Sequence, residues 1–551
     1  MMVLRLEVNN QSIEVEKGTT FNELVNIYCQ GNNVPIVLGK LNNKYYELSC
    51  SIEEPGKVDF IAADDRIGNR AYARTLQFLF IKATLDLFPE AKITIEHSLS
   101  KGIFGEVHME KALDAEDIIL IKKKMDELIE KDIPIKTLKV KKEEAIKIFS
   151  SYGMEDKLKL LKNLRNNELR LYELDGRYDY FYGKLGYSTG VLKYYELAYH
   201  EPGFLLRFPE EGKGVEIPVF EPQEKLEKIF QETEQWLNIL DIADVGSLNE
   251  KVLRKEFDEI IRVSEALHEK KIAYIADMIH DRNEVKIVLI AGPSSSGKTT
   301  FSKRLAIQLR VNGLIPIPIS LDDYFIDRDK TPLDEEGKPD FESIYALDLE
   351  LFNKQLNLLL EGEKVTIPSY NFKTGTRDEE GHDMQLPQNG VLIIEGIHGL
   401  NDILTSTIPD HNKFKIYISA LTQLNVDNHN RIATADVRKI RRIVRDFLSR
   451  GYGGDETLKM WPSIKRGEER NIFVYQEQAD VMFNSTLVYE LSVLKNCAIE
   501  ELSKIHQDSE VYNEAERLID FLKLFEAIDS DMVPENSILR EFIGGSCFYK
   551  Y

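Results

Sequence analysis

The sequence predicts a multidomain α/β protein whose largest unit is a parallel sheet flanked by helices, preceded by two smaller α+β modules. Three observations carry this reading. The chain has 551 residues, several times the ~100–200 of a usual domain. From Val285 to about residue 500, apolar β-branched runs alternate with helix-periodic segments, the pattern of buried parallel strands joined by crossover helices. Between one such run, Val285–Ile290, and a helical stretch stands Gly292-Pro-Ser-Ser-Ser-Gly297-Lys298-Thr299, a full G-x-x-x-x-G-K-[ST] match.

Taken in order, residues 1–62 alternate side chains in the β manner, with Leu4, Leu6 and Val8 against Val3, Arg5 and Glu7. They add a helical patch at Phe21–Cys29 and a turn at Pro55-Gly56, making a small α+β module. Residues 63–222 form a second α+β unit. It has a helix period at Leu76, Leu79, Phe80, Ala83 and Leu87, a strand-like Lys92–Ile95 and an amphipathic helix over Ala115–Ile129. Residues 223–284 are almost free of breakers and place Phe257, Ile260, Ile261, Ala266 and Ile272 at helical spacing, which predicts two linking helices. The α/β unit spans 285–505, and 506–551 reads as a helix with a tail.

Composition excludes several classes. With 71 basic and 93 acidic residues the formal charge is −22, which argues against a broad nucleic-acid or anionic-membrane surface because both partners are polyanions. Any phosphate site must be local. Cys29, Cys50, Cys497 and Cys547 form no C-x-x-C pair, so neither a disulfide framework nor a thiolate zinc site is supported. The first residues alternate instead of forming an apolar core, and no window approaches the ~18–20 apolar residues of a membrane span. We expect a cytoplasmic protein with no membrane or nucleic-acid partner, acting as a homo-oligomer.

In the phosphate motif, glycines let backbone N–H groups turn inward around anionic oxygens, and the helix N-terminus adds partial positive charge. Lys298 supplies a mobile ammonium for β/γ-phosphates, and Thr299 a hydroxyl for Mg²⁺. Phe301, Leu305 and Leu309 at i, i+4, i+8 and the stop at Asn312-Gly313 define the helix. Leu314–Ser320 is the next strand. Pro316 and Pro318, two apart, remove donors from one side only, which predicts a sheet edge. It delivers Asp322 and Asp323, one of which either orients an attacking hydroxyl or caps a helix. Val391–Ile394 ends in Glu395, either a Mg²⁺-side carboxylate of the Walker-B kind or a solvated strand end. Segment 431–450 holds seven basic and two acidic residues. Arg438, Arg442 and Arg445 share one helix face, either as a clamp on phosphoryl oxygens under a closing lid or as the solvated side of a helix that buries Ile440, Ile443 and Phe447.

With these residues in view, 286–495 resembles the uridine kinase / phosphoribulokinase family of P-loop kinases. Ser320-Leu-Asp322-Asp-Tyr-Phe is similar to the family's S-Q-D-S-F-Y, which implies Asp322 as catalytic base beside Mg²⁺, with Thr299 and Glu395 completing the metal surroundings. Asp340-Phe-Glu342 resembles a segment whose carboxylate holds the ribose hydroxyls, implying that role for Glu342. Ile367-Pro-Ser-Tyr370-Asn-Phe372-Lys-Thr-Gly375-Thr-Arg377 resembles the base-binding stretch. The resemblance assigns Tyr370, Phe372 and Arg377 to the substrate, while Gly375 stands where the family has a base-contacting histidine. Arg442-Ile-Val-Arg445-Asp446 matches the lid, and the family's later base-contacting glutamine falls on Met460 by ungapped count.

The N-terminal half resembles other proteins. Residues 1–62 are similar to a TGS domain of the β-grasp type, and 63–222 to the second, editing domain of threonyl-tRNA synthetase, on stretches such as Leu87–Ile95 and Lys142–Phe149. The editing H-x-x-x-H pair falls on Arg74 and Phe78, and the C-x-x-x-H pair on Phe181 and Leu185; only Asp179 of that set remains. Without imidazoles or thiolate, hydrolysis is not expected, and the domain reads as one for binding or assembly. His97 and His108 are assigned no role. Arg540 with Gly544-Gly545-Ser546 either closes over a ligand or ends the chain.

The resemblance therefore implies ATP and Mg²⁺ on Gly292, Pro293, Ser294, Ser295, Ser296, Gly297, Lys298, Thr299 and Thr300. It implies a nucleoside 5′-hydroxyl as acceptor, in pyrimidine salvage, with Lys298, Arg442 and Arg445 stabilising the transferring group. The alternatives are another hydroxylated small molecule as acceptor, or an ATP-switched RNA-associated regulator. Residues 1–62, with five basic and eight acidic residues, speak against the latter.

Overall fold

The computed structural model describes residues 3–164, 167–333, 337, 339–371, 374–422 and 424–549. The first module is a five-stranded mixed sheet. A hairpin joins Val3–Val8 to Gln11–Glu16 through Asn9 and Asn10, both at positive φ, and Gly56–Ala62 pairs parallel to the first strand. Leu4, Leu6 and Val8 point inward as the alternation requires. Helix Phe21–Tyr28, closed by a capping box between Thr20 and Glu23, lays Phe21 and Leu24 across the sheet.

In the second unit, helix Arg66–Leu87 starts at Asp65, whose carboxylate accepts the Ile67 N–H at 2.8 Å. With Ala115–Glu130 it covers a four-stranded antiparallel sheet, and a three-stranded sheet follows. The positions corresponding to the editing residues are filled. Arg74 Nε donates to the Lys184 carbonyl at 3.0 Å, Phe78 and Phe181 pack ring to ring at 5.2 Å, and Leu185 is fully buried. Asp179 is buried between Lys157 at 3.0 Å and His429 at 2.6 Å, and Lys157 also pairs with Asp427 at 2.9 Å. Desolvation works against ionised Asp179, but Lys157 and His429 hold its pKa well below the usual carboxylate range. Asp427 and His429 belong to a hairpin of the α/β unit that also bonds Ile95, through Asn428 O at 2.8 Å and Asn425 Nδ2 at 3.0 Å. An ion cluster joining two halves of the chain occupies what the resemblance marked as a hydrolytic centre.

Residues 223–284 hold three helices, not the two that periodicity suggested: Glu224–Leu240, Val245–Leu253 and Phe257–Asp281. The break needs no Gly or Pro. Asp241 adopts a left-handed conformation at φ 51°, and Asp244 caps the next helix through Ser247 N–H at 2.7 Å. These helices are part of the α/β core. Ile272, Ile275 and Ile279 pack into one cluster with Phe301, Leu305 and Leu309, and Arg304 pairs with Glu265 and Glu269.

The α/β unit is a five-stranded, all-parallel sheet in the order Ile315–Ser320, Gly390–Glu395, Ile287–Ala291, Lys413–Ser419, Val481–Asn484. The strand before the phosphate motif sits at its centre, buried on both faces. The Pro316/Pro318 strand lies at the edge, hydrogen-bonded on one side only.

Candidate active site

A cleft of about 350 Å³ opens at the C-terminal ends of the parallel strands. The central strand delivers Gly292, where a Cβ would fall 2.0 Å from the Ile418 carbonyl. Ser295 at φ 60° and Gly297 at φ 83° bend the loop through left-handed conformations into helix Lys298–Val311. Ser295 Oγ and Ser296 Oγ are buried with no hydrogen-bond partner among the described residues. Such orphaned donors suit phosphate oxygens. Lys298 Nζ donates to the Gly292 and Pro293 carbonyls at 2.8 and 3.1 Å. Burial lowers its pKa, with Glu395, Glu541 and Glu468 opposing.

The edge strand ends in Ser320, whose hydroxyl accepts the Asp322 N–H at 3.3 Å, so the capping role falls to Ser320. Asp322 lines the cleft, its pKa raised by burial while Lys298 counteracts. Glu395 closes the neighbouring strand. Burial lifts it to about 7, and its Oε2 is buried with no hydrogen-bond partner among the described residues. Thr299, Asp322 and Glu395 thus offer an all-oxygen set suited to Mg²⁺. No three His, Cys, Asp or Glu side chains among the described residues converge as a metal cage, so these donors would hold the ion together with phosphate oxygens.

Helix Thr434–Arg445 lies against the loop with Val437, Ile440, Ile443 and Val444 buried; Phe447, expected among them, is exposed in the following π-turn. Its arginines divide by function. Arg438 donates to the Ser294 carbonyl at 3.0 Å and pairs with Glu468. Arg442 donates to Ser294 Oγ at 2.7 Å, and Arg442 and Arg445 both line the cleft, anchored on Asp446. Arg441, which faces the same loop, is fully buried. It donates to Glu490 at 3.0 and 2.6 Å and to the Ser295 carbonyl at 3.3 Å.

On the acceptor side, Glu342 lines the cleft, raised to about 7 by burial and by the Glu468 carboxylate. Tyr370 is buried with its ring 5.6 Å from Phe325, a cleft residue. Phe372 lies outside the described residues. Arg377 does not line the cleft: its guanidinium donates to Asp348 at 3.0 Å and to the Phe325 and Tyr324 carbonyls, each at 3.1 Å. At Gly375, φ 75°, a Cβ would lie 2.7 Å from Arg328 Nε, so the place of the family's histidine is covered by a guanidinium. Met460 does not line the cleft either; Ile464 and Glu468, one and two turns further along helix Gly454–Asn471, do.

Sequence reasoning missed Glu468, which accepts the Ser294 N–H at 2.8 Å, together with Arg441 and Glu541. Glu541 reaches the phosphate loop from the C-terminal tail, where the Gly-Gly-Ser turn was the available signal.

Known proteins resemble two parts of this chain. The Phosphoribulokinase / Uridine kinase family profile matches residues 287–492. The uridine kinase of Ligilactobacillus salivarius is 32% identical over 186 residues, 34% of this chain and 78% of that protein. A possible uridine kinase from Bacillus stearothermophilus, known structurally, shares 23% identity over 36% of this chain and 89% of its own, with a TM-score of 0.24. The N-terminal region is similar to threonine–tRNA ligase 1 of Bacillus subtilis, at 28% identity over 185 residues, 33% of this chain and 29% of the ligase. The chain spans about 30% of the length of the threonine–tRNA ligases it matches. By its phosphate loop, its parallel sheet and this level of identity, the chain belongs to the phosphoribulokinase / uridine kinase family.

Proposed function

We propose that this protein transfers the γ-phosphoryl group of ATP to the 5′-hydroxyl of a nucleoside, as uridine and cytidine kinases do, serving pyrimidine salvage in the cytoplasm. The observation that carries the reading is the convergence of Lys298, Asp322 and Glu395 in one cleft at the C-terminal ends of the parallel strands. Asp322 accepts the proton of the attacking hydroxyl, and burial, which raises its pKa, makes it a stronger base than an ordinary carboxylate. Lys298, Arg442 and Arg445 offset the charge that spreads over the transferring oxygens. Glu342 faces the ribose hydroxyls, and Phe325, backed by Tyr370, stands on the base side. Mg²⁺, when bound beside Thr299 and Glu395, neutralises phosphate oxygens.

One observation favours a second acceptor class. Arg328 over Gly375 and Ile464 beyond Met460 replace groups that would read a base edge, which suits another hydroxylated small molecule.

The test is ATP consumption with Mg²⁺ against uridine, cytidine, purine and deoxynucleosides and sugar phosphates, with mass detection of the product. Phosphorylated uridine or cytidine supports the reading; transfer only to a sugar phosphate supports the second. Lys298→Ala and Asp322→Asn should each abolish transfer while the circular dichroism spectrum stays native, and near-native turnover in either sinks both readings. A homo-oligomer is proposed alongside, checked by sedimentation velocity.

A further inference from the structure

A second cleft, of about 100 Å³, lies between the four-stranded sheet of the second unit and helix Glu224–Leu240, and shares no lining residue with the phosphate cleft. Five carboxylates reach it: Glu96 and Glu106 from the sheet, Glu201 from its turn, Glu227 and Glu234 from the helix. No lysine or arginine lines it. Glu227 is met by His200 at 3.2 Å and Glu106 by His108 at 3.5 Å. Among the described residues no cation pairs with Glu96, Glu201 or Glu234. Burial raises Glu96 to about 7, with Glu106 and Glu234 adding repulsion. Like charges gathered in a partly buried cleft are unfavourable unless a cation joins them.

His97 is an independent pointer to a ligand. It is more than nine-tenths buried, stacked 3.6 Å from the Phe230 ring and 5.0 Å from Phe104, and lines the same cleft. Its Nδ1 is buried with no hydrogen-bond partner among the described residues. Burial, with Arg431 and His200 nearby, holds its pKa down at about 3, so it is a neutral imidazole with a nitrogen to offer.

The ligand class follows from the lining. No metal cage is present among the described residues, and the cleft is far larger than an ion. Aromatic faces beside carboxylates attract ammonium groups and cover the carbon chain between them. We infer that this cleft binds a small organic polycation of the diamine or polyamine class, with its ammonium groups on Glu96 and Glu234 and its methylenes against Phe104 and Phe230. Phe230 also belongs to one apolar cluster with Ala291, the residue before Gly292.

Isothermal titration of the full-length protein with spermidine and with putrescine, at physiological ionic strength, tests this, with MgCl₂ alone as the inorganic competitor. Saturable binding is expected, weakened at least about tenfold in the Glu96→Gln/Glu234→Gln double variant, whose folding is checked by thermal melting. The single Glu234→Gln, at an exposed helix position, should weaken it several-fold and serves if the double variant fails to fold. Absence of saturable heat, equal affinity in wild type and folded variant, or displacement of spermidine by equimolar Mg²⁺ would each overturn the assignment.

Discussion

The Glu541 carboxylate accepts the backbone N–H of Thr300 at 3.1 Å and the Thr300 hydroxyl at 2.9 Å, although 241 residues separate the two in sequence. The Tyr549 hydroxyl lies 2.7 Å from the same Thr300 oxygen. The tail is held there by packing: Ile538 is fully buried, and a Cβ at Gly297 would come within 2.6 Å of it. Thr300 N–H is one of the unpaired donors of a helix's first turn, the kind that phosphate oxygens use. A carboxylate on that donor competes with a phosphate and repels it.

Glu541→Gln keeps the shape and removes the charge. The KM for ATP should fall about three- to tenfold, or ~0.7–1.4 kcal/mol, with kcat little changed. Steady-state kinetics at varied ATP decides it, and an unchanged or raised KM would count against competition.

Arg441 bridges the phosphate loop, Ser485 and Glu490 from a fully buried position. Arg441→Met leaves Glu490 without its counter-charge, and the loss should be about 3–5 kcal/mol. Urea denaturation measures it. A change under ~1 kcal/mol would mean that the pair is dispensable.

Glu395 carries a pH signature. Its folded pKa, about 7, lies above the ordinary 4.5, chiefly through burial. The folded state therefore binds this proton more tightly than the unfolded chain, a stabilisation complete below about pH 4.5 and lost as pH rises through about 7. Between about pH 5 and pH 8, the wild-type melting temperature should decline more steeply than that of Glu395→Gln. Parallel profiles from scanning calorimetry would contradict the assignment.

Asp179 couples the two halves. Asp179→Asn leaves buried Lys157 with one fewer counter-charge, and about 3 kcal/mol should be lost. Denaturation followed by fluorescence should separate into two transitions as the N-terminal unit uncouples from the Asn425–Asp427 hairpin. A single transition at the wild-type midpoint would show that the cluster does not join them.

Local chemistry was legible in the sequence wherever one short stretch carries the whole physical cause. The glycines and lysine of Gly292–Thr299 announce a phosphate loop because backbone freedom and charge there are local properties, and Pro316 with Pro318 announces a sheet edge because a missing N–H is visible one residue at a time. The helix break at Asp241–Asp244 was not legible, since a left-handed Asp and an Asp cap resemble ordinary polar helix positions. Arg377 shows the same limit: its motif position suggests the substrate, while its partners Tyr324, Phe325 and Asp348 become neighbours only through folding.

By itself, then, the sequence determined the order of the modules, the parallel sheet and the phosphate-binding chemistry, all of which follow from periodicity and motif. Only the tertiary structure decided which charges meet. Glu541 on Thr300, Arg441 on Glu490 and Asp179 on Lys157 and His429 join residues distant in the chain, and the energy of a buried charge depends on the partner that packing brings to it.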